Sequence, residues 1–153
     1  MSDYPTAYAI VLAPDVTQSP MDQVVLDYDA RILRRKRLTC DSGTHFLVDL
    51  PKTTNLNAGD CLSTETGLIK VVAADEPVLE ITATDPGALS RLAWHIGNRH
   101  TPCQIEPDRL IIRQDHVLEE MLHLLGAHIH RITAPFTPEG GAYGHGRTMG
   151  HSH

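Results

Sequence analysis

The sequence predicts an α+β protein. A small all-β domain is expected over residues 1–75, a βαββαβ domain of the ferredoxin-like plan over 76–135, and a flexible Gly/His tail over 136–153. Three observations predict this. Short apolar runs separated by turn residues fill the first half. From about residue 76 the apolar period switches back and forth between strand and helix values. After Pro135, Gly140, Gly141, Gly144, Gly146 and Gly150, together with Pro138, leave no apolar periodicity at all.

In chain order, Tyr8 to Leu12 and Val24 to Tyr28 read as the first strands. Arg37 to Cys40 and His45 to Leu50 flank Asp41-Ser42-Gly43, a hairpin turn signal. Phe46, Val48 and Leu50 alternate with Leu47 and Asp49, as in a strand with one buried face. Asn57-Ala58-Gly59-Asp60 and Thr64-Glu65-Thr66-Gly67 mark two further turns, and Gly67 to Val72 is the last strand. Several short strands with frequent turns imply a small sandwich or barrel. Arg34-Arg35-Lys36-Arg37 interrupts this half. It suits an acidic partner surface, a nucleic acid, or, preferred over the nucleic acid, a solvated turn and strand edge, where positive charge also discourages edge pairing.

The second half reads as strand Val78 to Thr82, helix Pro86 to Ile96, strand Cys103 to Glu106, strand Arg109 to Arg113, helix His116 to Leu125 and strand Ala127 to Thr133. Asp85 is the expected N-cap of the first helix, with Pro86 at its first position. Leu89, Leu92, Ala93 and Ile96 form its apolar stripe, and Gly97 is expected to stop it. Pro107-Asp108 is the hairpin turn. In the second helix Asp115 caps, Val117, Leu118, Met121, Leu122, Leu124 and Leu125 give a broad apolar face, and Gly126 ends the element.

Composition narrows the function classes. The net charge is −6 with neutral histidines, which argues against a nucleic-acid binder. No apolar run is long enough to span a bilayer, and the N-terminus lacks the basic and apolar regions of a secretory signal, so a cytoplasmic protein is expected. Cys40, Cys61 and Cys103 are odd in number and far apart, which fits a reducing compartment and neither a disulfide framework nor a zinc finger. Gly-x-Ser-x-Gly, G-x-G-x-x-G and the P-loop are absent, which weighs against hydrolase, dehydrogenase and nucleoside-triphosphatase readings.

Histidine is the compositional outlier, with ten copies. His100 follows the first helix on a short turn, where a rigid element can present an imidazole outward; the plain alternative is a solvated side chain. His145, His151 and His153 sit on the tail, where His151-x-His153 can chelate one ion, and imidazole suits nickel, copper and zinc. Ordering a flexible arm costs entropy, so each such ligand is weak and its ion easily released. His116-x-x-Glu119-Glu120-x-x-His123 is not a zinc-protease motif and reads as a solvated helix face, with His116 kept as a candidate near the helix start. His128-x-His130 points to one face of a strand and can bite a metal. His100-x-x-Cys103 is a possible chelate, and Cys103 is otherwise a small apolar strand residue. A zinc- or copper-dependent enzyme built on His128, His130 and Cys103 remains open, and so does a scaffold with an incidental tail.

Three stretches together resemble the UreE family of urease nickel metallochaperones. They are Gly97-Asn98-Arg99-His100, the helix Asp115-His116-Val117-Leu118-Glu119-Glu120-Met121-Leu122, and Pro135-Phe136 through Gly140-Gly141-Ala142-Tyr143-Gly144-His145-Gly146-Arg147 before the His-bearing end. With the β-then-ferredoxin-like order, the resemblance covers essentially the whole chain. It implies a non-enzymatic carrier of Ni(II), with Zn(II) or Cu(II) as possible substitutes in vitro. It also implies a homodimer in which two copies of His100 share one ion, completed or loaded by His145, His151 and His153. His116, His128, His130 and Cys103 are then secondary candidates. The implied partners are the urease apoprotein and other accessory proteins, including a GTPase, with the N-terminal domain making those contacts. The tail is short where some members carry a long poly-His run, and position 114 is Gln where a relative can have His.

Overall fold

The computed structural model describes residues 4–140, which form two compact units that divide at Ala74/Asp75. His145, His151 and His153 lie outside the described residues. The architecture is α+β.

The N-terminal unit contains β1 (Thr6–Ala7), β2 (Ala9–Val11), β3 (Asp22–Leu26), β4 (Ile32–Thr39), β5 (His45–Asn55), β6 (Cys61–Thr64) and β7 (Gly67–Ala73). They pair as two sheets, β1-β5-β4 and β2-β6-β7-β3. Alternation explains the core: Phe46, Val48 and Leu50 of β5, Val24 and Leu26 of β3, and Ile69 and Val71 of β7 join one buried aliphatic cluster. Gly43, at φ +93, closes the β4–β5 hairpin in a conformation that a Cβ would disfavour. Asp60 is fully buried because its carboxylate accepts hydrogen bonds from the N–H groups of Ala13 and Asn57, both at 2.9 Å. Arg34, Arg35, Lys36 and Arg37 all lie on β4, at the edge of its sheet, exposed, with Arg35 paired to Asp49 across the strands at 2.9 Å.

The second unit runs β8 (Asp75–Thr82), α1 (Pro86–Asn98), β9 (Gln104–Ile105), β10 (Leu110–Arg113), α2 (His116–Leu124) and β11 (His128–Pro135). Its sheet order is β11-β8-β10-β9 with every neighbouring pair antiparallel, which is the ferredoxin-like arrangement. Leu79 and Ile81, Leu110 and Ile112, and Leu89, Leu92, Ile96, Leu118 and Leu122 form one cluster between the sheet and its two helices. Both caps are as the sequence predicts: the carboxylates of Asp85 and Asp115 accept the N–H of Ala88 at 2.7 Å and of Leu118 at 3.0 Å. Gly126, at φ +88, follows α2.

Three expectations change. Gly97 does not stop α1. The helix runs on to Asn98, and Arg99 and His100 donate to the carbonyls of Ile96 and Gly97 at 3.1 and 3.0 Å, tightening the last turn. The extra residues serve geometry: an eight-residue β8 rises about 26 Å, and a 13-residue helix returns only about 20 Å of that before β9 must begin. Next, the apolar face of α2 is only half used. Leu118 and Leu122 are buried, whereas Val117 is 62% exposed and Leu124 88%. Finally, the arm does not leave the fold at residue 136: Phe136 is fully buried, and Thr137 and Glu139 are hydrogen-bonded to β9 and its approach.

Candidate metal centre

His100 takes the left-handed conformation, φ +57, and is alone among described non-glycine residues in having positive φ. It occupies the position after the helix C-cap where glycine is usual. Holding an L-residue there costs about 1–2 kcal/mol, and such strain concentrates at functional sites. The residue is exposed, so the turn aims it outward from the rigid end of α1. That end is tied to the second helix, since the Arg99 Nε–H lies 3.1 Å from the thioether sulfur of Met121. Met121 belongs to the stripe Val117, Met121, Leu124, spaced four and three residues apart. Met121 itself is half-buried against the core cluster, while Val117 and Leu124 on the same stripe are exposed. Trp94, the single tryptophan of the chain, is 63% exposed on α1, within two turns of His100.

The other candidates are placed as follows. Cys103 packs against the core cluster of the second unit, and burial pushes its thiol up to about 11, far from the thiolate that metal binding needs at neutral pH. His116 opens α2 and is exposed. A recess of about 320 Å³ lies between Thr101-Pro102 and Gln114-Asp115, the neighbours of His100 and His116, but neither histidine lines it. His123 sits 4.0 Å from Glu119, whose carboxylate also takes Arg131 of β11 at 3.1 Å.

His128 and His130 pair in register with Thr82 and Glu80, on the sheet face away from the helices. His130 Nδ1 lies 3.7 Å from the Glu80 carboxylate, which Arg109 binds at 2.8 Å. Arg109 also holds Glu106 at 3.0 Å, which lowers the Glu106 pKa below the usual carboxylate range. The sheet separates β11, with His128 and His130, from β9, next to Cys103, by placing them on opposite edges. These three residues are not brought together. Among the described residues, no three His, Cys, Asp or Glu side chains form a group that could hold a metal ion. No helix among them is long and apolar enough to cross a membrane.

Sequence reasoning missed two contributors: the left-handed backbone at His100, because any residue but glycine is a poor signal for it, and the Gln104–Glu106–Arg109–Glu80 network, whose members come from β9, the turn after it and the distant β8.

Comparison with known proteins agrees over the whole chain. The family described as UreE urease accessory protein, C-terminal domain, matches residues 76–153, and the corresponding N-terminal domain family matches residues 9–74. A urease accessory protein UreE of Rhodobacter capsulatus is 62% identical over 86% of this chain and 83% of its own length. That of Cereibacter sphaeroides is 53% identical over 100% of this chain and 82% of its own. That of Paracoccus denitrificans is 62% identical over 84% and 82%. Both halves of the sequence, and relatives matched over most of their length, lead to one conclusion: this chain belongs to the UreE family of urease accessory proteins.

Proposed function

We propose that the protein is a cytoplasmic nickel carrier, not an enzyme, that takes up Ni(II) through histidines and delivers it as cargo for assembly of the urease metallocentre. The observation that carries this reading is His100: an exposed imidazole held in a strained left-handed turn, in a chain of the UreE family with three histidines in its last nine residues. A single fixed imidazole is a poor site. Two copies related by a two-fold axis would supply two, and His145, His151 or His153 would complete the set. The exposed side chains of Val117 and Leu124, on the helix that meets that turn through Met121, support a homodimer contact there, since they lie outside the unit's own core. Ligands on a tail bind weakly one by one, which suits an ion that must be handed on. His116, His128, His130 and Cys103 are secondary in this reading, and Zn(II) or Cu(II) would compete in vitro. The receiving partners are the urease apoprotein and its other accessory proteins, including a GTPase. The cationic edge strand β4 offers such partners a charged surface on the N-terminal unit.

The test is calorimetric nickel titration with mass in solution. The full-length protein should be a dimer that binds one tight ion per dimer. His100→Ala should lose that site with its circular dichroism unchanged, and removal of residues 144–153 should weaken binding and reduce the ions bound. A monomer at micromolar concentration with and without nickel, or tight binding that survives His100→Ala, would reject the proposal.

A further inference from the structure

We infer that His128 and His130 of β11 form a separate cation site, a two-imidazole chelate for a borderline divalent ion, Cu(II) most tightly and Ni(II) or Zn(II) more weakly, with Glu80 as its positioning residue. The inference does not depend on the nickel-carrier reading, because the pair stands apart from His100.

Strand alternation puts the pair on one face. Ile129 packs against the core cluster beneath the helices, and Arg131 turns the same way to meet Glu119 of α2 at 3.1 Å. His128 and His130 therefore share the helix-free face, and both are exposed. Their Cα atoms are about 6.7 Å apart, two strand rises. Two imidazole nitrogens on one ion, each about 2.0–2.1 Å from it, sit about 3 Å apart, so the two side chains need only lean together. β11 is an edge strand, which leaves room for water to complete the coordination. Neutral imidazoles follow the ordinary divalent order, in which copper binds above nickel and zinc.

The surroundings favour an ion here. Glu80 lies opposite His130 in register, with Oε1 3.7 Å from Nδ1. A carboxylate only accepts, so it favours the imidazole proton on Nδ1 and leaves the Nε2 lone pair for a metal. Glu80 is itself fixed. Arg109 binds its other oxygen at 2.8 Å and Glu106 at 3.0 Å, and the Gln104 amide donates to Glu106 at 2.7 Å. Two carboxylates against one guanidinium leave negative charge in excess beside the pair, while the cation of Arg131 is turned to the far face.

The site is independent of the turn after α1. His128 pairs with Thr82, the last residue of β8, and α1 then runs 13 residues, about 20 Å, back along the sheet before His100. His100 and the pair lie at opposite ends of the unit, too far apart to share one ion within a chain.

The experiment titrates the full-length protein with Cu(II) and follows the backbone amides by NMR. In the wild type, copper should broaden His128 to Arg131 and, across the strands, Glu80 to Thr82, as a set distinct from the residues around His100. His128→Gln and His130→Gln should each weaken copper binding at this set roughly a hundredfold, because one imidazole alone forgoes the chelate, and should leave the broadening around His100 as it was. Both side chains are exposed, so no core volume is lost and the metal-free spectra should match the wild type. Glu80→Gln keeps an acceptor for Arg109. It should move the His130 ring proton toward Nε2, read from imidazole nitrogen shifts without metal, and lower copper affinity at the pair about tenfold. Amides that stay sharp in the wild type, or single variants that lose only half of the copper bound there, would overturn the chelate. An unchanged tautomer with unchanged affinity in Glu80→Gln would overturn the role of Glu80. A protein that bound no nickel at His100 would reject the carrier reading, and the copper result at β11 would still stand or fall by itself.

Discussion

Replacing His100 by glycine should make the protein more stable and less able to bind nickel. At φ +57 an L-residue costs about 1–2 kcal/mol relative to glycine. Glycine gives back about 0.4–1 kcal/mol through the greater freedom of its unfolded chain. The net gain is about 0.5–1 kcal/mol, and in a unit of this size each kcal/mol moves Tm by about 4–8 °C. The side chain is exposed, so no core volume is lost. His100→Ala keeps the strain and removes the imidazole, so it should show the same loss of nickel affinity without the rise in Tm. The assay is thermal unfolding of the metal-free proteins beside nickel titration of each. Nickel bound to the wild type should also quench Trp94, the single tryptophan, which lies about 9 Å along the helix from the turn. Equal Tm values for the glycine and alanine variants would refute the left-handed turn as a source of strain. Retained tight binding in both would refute the imidazole as a ligand.

Cys103→Ser should keep most nickel affinity, because a thiol pushed up to about 11 by burial is a poor ligand at neutral pH; loss of binding, or a thiolate charge-transfer band on adding nickel to the wild type, would speak against this. Nickel affinity should fall as pH drops through the imidazole range near about 6.5, more steeply than one proton predicts, while dimer mass persists; tight binding well below that range would exclude a histidine cluster. Glu106, whose pKa the Arg109 hydrogen bond lowers from 4.5, stabilises the fold above that value and loses this contribution as pH falls through its folded-state pKa. Glu106→Gln should therefore lower stability at neutral pH and flatten the loss of stability below about pH 4, read from urea midpoints against pH; parallel pH curves for variant and wild type would rule that out.

Local chemistry determined much of this protein in advance. Asp85 and Asp115 cap because a carboxylate satisfies orphan N–H groups wherever a helix starts, and the apolar spacing of Leu89, Leu92 and Ile96 names the buried face without a partner being known. Strand alternation did the same for Phe46, Val48 and Leu50, and the order of periods from residue 76 onward already implied the antiparallel sheet. The histidine-rich end and the His100 turn were legible as candidates, and the combined motifs as a family resemblance. Tertiary structure decided what depends on length and on neighbours far along the chain. How far α1 must run to return to β9 put the end of the helix beyond Gly97 and the left-handed residue at His100. The width of the sheet set Cys103 apart from His128 and His130, and the limited cover that a two-helix layer provides left Val117 and Leu124 outside. Phe136 reads as the start of a free arm because Gly and Pro surround it. It is buried because β11 delivers it to the sheet, and no periodicity within a segment records which distant surface will receive it.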